Sequence, residues 1–324
     1  EFNYIVLSLK KGDSFINSFD DENINTKVLC LSNNPFKLLL FLISVKKFIE
    51  NKNIKIVHCH LYHSYLFILL LKLFVPKIVI IFTPHSHFLG SSFRHLLVRY
   101  TKYLRHIDII FSKSMLRKMH VHNYRVIYNS VQLPINFKQF DNLKFSKQNP
   151  IKLISVGRLE PVKNHLFLLK TLLDMPEYFY FTLDIVGAGS LYHKIYSYIE
   201  FNNLQDRVKL LGQSDTVSDY LNASDCFVLT SVWEGMPLVL LEAGFASLPI
   251  LSTPVGSITE VLSAQNSYLS EPKDFKNNLL YIYNNYHEAK NKSYILKKHL
   301  EENFSIKKFI NEHENIYKEC VSLS

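Results

Sequence analysis

Short apolar runs alternate with amphipathic stretches along most of this chain, and the two periods assign elements directly. Apolar alternation and β-branched residues predict strands at 54–58, 78–82 and 107–112, with helical patterning at 64–74 and 94–104 between them. After residue 131 the pattern lapses into a polar, aperiodic stretch that ends at Pro150. A second series then begins, with strands at 152–156, 181–186, 208–211, 226–230 and 249–252, again separated by helical stretches. Strands that alternate with helices in this way build parallel sheets covered by helices on both faces. The expectation is an α/β fold of two Rossmann-like, doubly wound domains facing a cleft. Its boundaries are 1–132, a linker at 133–150, and 151–305, with a C-terminal helix at about 306–324 packing back on the first domain.

The most membrane-like run, 65–82, contains two lysines and a central Pro. A helix ending near Phe74, a Val-Pro turn and a buried strand account for it without a membrane span. The length of 324 residues suits two domains of roughly 150 residues each. Cys30, Cys59, Cys226 and Cys320 are scattered singly, which reads as reduced thiols in a cytoplasmic protein. The chain opens on Glu-Phe-Asn-Tyr-Ile-Val-Leu, a strand pattern and not a signal peptide, and lacks an initiator Met, so a preceding segment is expected.

Charge divides unevenly. Residues 1–150 hold 21 Lys and Arg against 8 Asp and Glu, a net +13, while the remainder carries a net −4. A basic half suits an anionic partner such as a phospholipid surface, a lipid phosphate or nucleic acid; a solvated Lys-rich surface is equally consistent. Glycine divides the other way. Of nine glycines only Gly12 and Gly90 precede the polar stretch, and the other seven lie between Gly157 and Gly256, mostly just past predicted strands. Ligands of open parallel sheets sit at those carboxyl ends, so the second domain is the better nucleotide candidate.

Three stretches carry chemistry there. Gly157-Arg158-Leu-Glu-Pro-Val-Lys163-Asn places two cations on one loop, where a guanidinium fork and an ammonium could converge on a diphosphate. Gly187-Ala-Gly189-Ser-Leu-Tyr192 resembles a dinucleotide fingerprint, with Tyr192 where the third Gly belongs. In Ser231-Val-Trp-Glu-Gly-Met-Pro-Leu-Val-Leu-Leu-Glu-Ala-Gly244, Pro237 suits a first helical position and the amides around Gly235 to Leu238 form an anion site. Glu234 then lies in the loop and Glu242 one turn inside a buried helix, each placed to accept hydrogen bonds from a hydroxyl-rich ligand.

These stretches, with Leu211-Gly-Gln-Ser-Asp and Pro-Val-Gly256-Ser-Ile-Thr-Glu260, resemble in order the donor-site elements of family 4 retaining glycosyltransferases of the GT-B fold, of the bacterial surface-polysaccharide type. The resemblance implies that Arg158 and Lys163 hold a donor diphosphate and that Glu242 grips the ribose hydroxyls. Glu234 with Gly235, Met236, Pro237 and Leu238 would surround the sugar and phosphates. Gly157, Gly187 and Gly189 would border the donor, and Gly212 and Gln213 the base. Thr83-Pro84-His85 matches a Thr-x-His pattern, so His85 would contact the transferred sugar; His60 has no such match. Asn129-Ser130-Val131 carries Ser where the family has Gly. The family's first strand and Gly-rich loop are not found, since 2–9 resembles its second strand.

The implied activity is retaining transfer of a hexosyl or N-acetylhexosaminyl group from a nucleotide sugar, expected to be a UDP-sugar. The acceptor would be a glycan or lipid-linked molecule in lipopolysaccharide, capsule or other surface-glycan synthesis. No Asp-x-Asp triplet occurs, and no cysteine pair or spaced ligand set supports a zinc site, so neither metal nor cofactor is expected. Lysines flanking the apolar 35–49 helix suggest peripheral docking of a cytoplasmic protein to an anionic inner-membrane surface; no nucleic-acid partner is expected. A nucleotide-sugar epimerase of the same fold, and a non-catalytic or truncated sugar-nucleotide binding protein, are the alternatives.

Overall fold

The computed structural model describes residues 3–8, 25–28, 35–85, 91–117, 119, 121–131 and 144–322. They form two compact units. The first comprises residues 1–109, 119–125 and 315–324, and the second 110–118 and 126–314. Most of the expected linker falls at 132–143, outside the described residues.

In the first unit, β1 (Ile5–Ser8) pairs in parallel with β2 (Asn25–Val28) as a two-stranded sheet. A four-stranded sheet follows in the order β3 (Ile56–His60), β4 (Val79–Thr83), β5 (Ile107–Ile110), β6 (Tyr124–Val126). Three helices accompany it: α1 (Pro35–Asn51), α2 (Leu61–Lys72) and α3 (Ser92–Tyr100). Strand β4, Val-Ile-Ile-Phe-Thr, is buried at every position, as a central parallel strand covered on both faces must be.

Helix α2 begins at Leu61, three residues before the expected Ser64. The chain leaves β3 through a left-handed turn at Leu61 (φ 67°), and the Ser64 hydroxyl bonds back to the His60 carbonyl from inside the helix rather than capping it. The polar anchor of this unit is fully buried. Arg105 donates to both carboxylate oxygens of Asp108 at 2.6 and 3.0 Å, and to Tyr65 Oη and the Val98 carbonyl at 3.0 and 2.8 Å. Tyr65 stacks on Phe82, so one guanidinium ties α2, the end of α3 and β5 to the central strand.

The second unit holds a six-stranded sheet in the order β12-β11-β10-β7-β8-β9, every pair parallel. Its strands are β7 (Ile151–Val156), β8 (Phe181–Val186), β9 (Val208–Gly212), β10 (Cys226–Leu229), β11 (Ile250–Ser252) and β12 (Tyr268–Leu269). The connecting helices are α4 (His165–Leu173), α5 (Tyr192–Phe201), α6 (Val217–Ala223), α7 (Leu238–Phe245) and α8 (Ile258–Val261), followed by α9 (Phe275–Asn284), α10 (Tyr286–Asn303) and α11 (Ile306–Val321), whose residues from Asn315 onward belong to the first unit. Both faces of the sheet carry an apolar core, one under α4, α5 and α9, the other under α7 and α10. The chain turns one way from β7 to β8 and the other way from β7 to β10, which makes the β7–β10 junction the topological switch point of the sheet. No helix among the described residues is long and apolar enough to cross a membrane.

Replacing Asp108 by Ala strands the Arg105 guanidinium in the core. Denaturant unfolding should show a loss of about 3–5 kcal/mol, and a loss below 1 kcal/mol would count against the network as the anchor.

Candidate functional site

Two loops flank the switch point. The first leaves β7 at Gly157 and runs through a short 3₁₀ turn, Pro161–Lys163, into α4; the second leaves β10 and runs from Thr230 to Pro237 into α7. They are laced together. Val232 N donates to the Val162 carbonyl at 2.8 Å, Thr230 Oγ1 to the Lys163 carbonyl at 3.1 Å, and the Lys163 ammonium to Glu234 Oε1 at 2.5 Å. Ser231 Oγ donates to the same Oε1 at 2.6 Å. Glu234 is buried, so these internal donors, and not a ligand alone, satisfy its charge.

Glycines set how closely the loops approach. A methyl group on Gly187 would lie 2.0 Å from the Gly157 carbonyl oxygen, and one on Gly256, at φ 61°, only 1.8 Å from that of Glu234. Only glycine fits either place. The Lys163 stem lies along Gly157, where an added Cβ would stand 3.2 Å from its Cε. Gly187 N donates to the Gly212 carbonyl across a register shift between β8 and β9, which brings Gly212 to the Gly187 turn. Gly189 packs on the Leu159 backbone. The ends of β7, β8 and β9 thus form one continuous backbone surface.

Pro237, expected as the first helical residue, stands one position earlier. It caps α7 with φ −72° and ψ 115°, and its carbonyl accepts from Leu240 N, because a fixed proline φ serves the cap as well as the first turn. Gly235 and Met236 complete the turn into α7, and Leu238 begins it, exposed. Arg158 is exposed beside Gly157, and Gln213 is exposed just past Gly212. Glu242 sits at the fifth position of α7, half-buried and without a side-chain hydrogen bond or ion pair among the described residues. Burial pushes its carboxyl above the ordinary glutamate range.

Other residues join the site through partners distant in sequence or through burial. Glu160 accepts from Ser190 N and Oγ at 3.0 and 2.8 Å and so ties the Arg158 loop to the Gly187 turn; those hydrogen bonds hold its carboxyl below the ordinary range. His165, the first residue of α4, is buried and pushed down to about 4, chiefly by burial and then by the Lys163 charge, so it is neutral. Glu260 accepts from Lys113 N and Ser114 N, both at 2.8 Å, and from Tyr128 Oη.

His85 lies in the first unit, at the end of β4, in the left-handed region with φ 39°. Its Nε2 is 2.9 Å from His60 Nδ1, and the His60 ring packs against that of His58 at a tilt, with 4.2 Å between centroids; His58 contacts Tyr317 Oη and Thr83 Oγ1 at 2.8 and 2.7 Å. His60 therefore joins the candidate group even though no motif singles it out. Among the described residues no group of three His, Cys, Asp or Glu side chains is arranged to hold a metal ion.

Residues 136–299 match the family described as glycosyl transferases group 1, about half the chain. The chain belongs to that family. Residues 3–133 match the description glycosyltransferase family 4. The chain is 38% identical over 136 residues to the UDP-Gal:alpha-D-GlcNAc-diphosphoundecaprenol alpha-1,3-galactosyltransferase of Escherichia coli, covering 40% of this chain and 34% of that protein. It is 25% identical over 282 residues to the capsular polysaccharide biosynthesis glycosyltransferase CapH of Staphylococcus aureus, covering 81% and 75%. An uncharacterized glycosyltransferase of Methanocaldococcus jannaschii is 28% identical over 49% of this chain and 42% of its own. The chain thus spans less than half of several curated relatives it matches. Among solved structures it resembles a glycosyltransferase from Rickettsia africae (TM-score 0.84, 16% identity, 99% and 90% covered) and the Anabaena protein HepE in complex with UDP (0.82, 17%, 97% and 92%). The fold is GT-B, as members of glycosyl transferases group 1 show it: two α/β units with parallel sheets.

Because the folded chain holds the Glu242 proton to higher pH than the unfolded chain, stability is lost as pH rises from the ordinary glutamate range toward the raised folded value. Glu242→Gln should therefore melt a few degrees higher than the parent at neutral pH, with the difference vanishing in acid below the ordinary glutamate range. Equal melting at neutral pH would overturn this account of its burial.

Proposed function

We propose that this chain is a retaining glycosyltransferase that moves a sugar from a UDP-sugar to a glycan or lipid-linked acceptor in surface-glycan synthesis. The observation that carries the reading is the pair of loops joined at the switch point by Lys163 and Glu234, with Arg158 and the α7 N-terminus beside them. That combination suits a diphosphate bearing hydroxyl-rich groups at both ends. The Lys163 ammonium has three donors, of which Glu234 uses one, so two remain for phosphate oxygens. The amides that open α7 add partial positive charge at the same place. Glu242, unpaired and half-buried, suits ribose hydroxyls, which would supply the hydrogen bonds its carboxylate lacks.

In this reading the sugar C1–O bond to the diphosphate breaks as the acceptor oxygen bonds C1 on the same face, and the departing phosphate oxygen takes the acceptor's proton. Arg158, Lys163 and the α7 amides stabilise the charge that grows on the leaving group, which is the electrostatic role a divalent ion plays elsewhere; no metal or cofactor is required in this scheme. His85 is assigned to the transferred sugar. A UDP donor is supported by relatives and structures named with UDP, UDP-glucose or UDP-Gal, and a lipid-linked acceptor by a relative named for a diphospho-undecaprenol substrate. The basic first half supports peripheral association with an anionic membrane surface on the cytoplasmic side.

A panel of nucleotide sugars offered to the protein with a lipid-linked acceptor, read by mass spectrometry, tests the reading. A mass increase of one sugar on the acceptor is expected, and Arg158→Ala should lower turnover by about 10²–10³-fold. Turnover unchanged by that substitution, or an altered free nucleotide sugar without acceptor, would sink the assignment.

A further inference from the structure

The first unit presents an apolar surface that the histidine group does not use. On α3, Val98 is buried, while Phe93, Leu96 and Tyr100, at spacings of three and four, share another face and are 70%, 49% and 72% exposed. Tyr103 and Leu104, in the 3₁₀ turn that follows, are also exposed. Five large apolar side chains within one helix and its following turn exceed the scattered exposure of an ordinary surface and mark an interaction site.

Charge decides the kind of partner. From residue 51 to residue 107 the chain carries eight Lys and Arg and no Asp or Glu; Arg105 is buried against Asp108, which leaves seven. Arg94, Arg99 and Lys102 stand on the helix and turn themselves, with the Lys102 ammonium over the Tyr103 ring. Aromatic and aliphatic side chains set among cations suit the headgroup layer of an anionic bilayer, where rings sit at the acyl boundary and the cations meet lipid phosphates. A second copy docked through the same face would bring like charges together without relief. Helix α1 also exposes Leu39, Leu40 and Ile43, yet among its described side chains no aromatic ring is exposed, and its Lys46 is 3.6 Å from Glu50.

We infer that α3 and the turn Lys102–Leu104 form the membrane-inserting element of this protein, lying flat in the headgroup layer and selective for anionic lipid. The inference rests on the membrane-surface part of the proposed function and names the element that carries it. Phe93 and Tyr100 stand seven positions apart on the helix, a run of about 10 Å, which fits a shallow contact along the surface and not a span.

Vesicle flotation of the full chain tests it, with vesicles of phosphatidylcholine and phosphatidylglycerol in equal parts against phosphatidylcholine alone. The parent protein should float with the mixed vesicles and not with the neutral ones. The triple variant Phe93→Ser, Leu96→Gln, Tyr100→Ser should partition about tenfold or more weakly, with unchanged circular dichroism because all three side chains are exposed. Arg99→Gln with Lys102→Gln should lose the preference for phosphatidylglycerol, whereas Leu39→Ser, Leu40→Gln, Ile43→Ser should float as the parent does. Flotation that survives the α3 triple variant but is lost on changing α1 would overturn the inference and leave membrane association standing. A parent that binds neither vesicle would overturn both. A dimer that the α3 variant dissociates, seen by sedimentation, would assign the face to a second copy and overturn the inference. UDP affinity measured in parallel should be equal in all variants, which keeps the donor-site reading separate.

Discussion

The candidate site in the second unit depends on backbone meeting backbone. Gly187 against the Gly157 carbonyl, and Gly256 against that of Glu234, let neighbouring strand ends close to distances that no Cβ would permit. Only with the loops so close does a lysine stem lying along Gly157 reach a carboxylate from the next strand's loop. The ion pair is therefore a consequence of glycine placement. Its own energetics are balanced, since desolvating two charges consumes most of what their attraction returns; its specific effect is to fix loop geometry at the switch point.

Among the described residues of the first unit, strand ends turn without glycine. Gly12 and Gly90 both lie outside its described residues, and the turns that end β3 and β4 are made by Leu61 and His85 at positive φ. Such conformations cost of order 1–3 kcal/mol each and persist where surrounding contacts hold them. Here the contacts are the imidazole chain from His85 through His60 to His58, and the His58 bonds to Thr83 and Tyr317. Deeper in the unit, the Arg105–Asp108 pair joins α2, the end of α3 and β5.

Five of the six strands of the second unit were legible to within a residue or so because buried parallel strands are nearly continuous apolar runs bounded by Gly, Ser or Thr, whereas the two-residue edge strand β12 is too short to show a pattern. Helix starts in the first unit were less so. At α2 the helix begins three residues before the expected Ser64, and the left-handed Leu61 that opens it leaves no compositional trace. Within the site, glycine and cation positions could be read because each has a local reason. The partners of the acidic residues could not: Glu234 and Lys163 are 71 residues apart, and Glu160 and Ser190 are 30 apart, so only the strand order brings them together. Pairing information of that kind resides in topology, not in any window of sequence.

The two carboxylates of 231–244 are thus physically unlike. Glu234 is satisfied by Lys163 and Ser231 before any ligand is considered, and its charge serves to hold the loops. Glu242 has no such partner, and its raised proton affinity records the cost of keeping an acid half-buried on an apolar helix. A chain selected for stability alone would carry glutamine or leucine there. An unpaired, half-buried acceptor at the fifth position of α7 takes its hydrogen bonds from water or from the hydroxyl groups of a bound molecule. The asymmetry between the two glutamates therefore assigns one to architecture and the other, in the proposed function, to the donor.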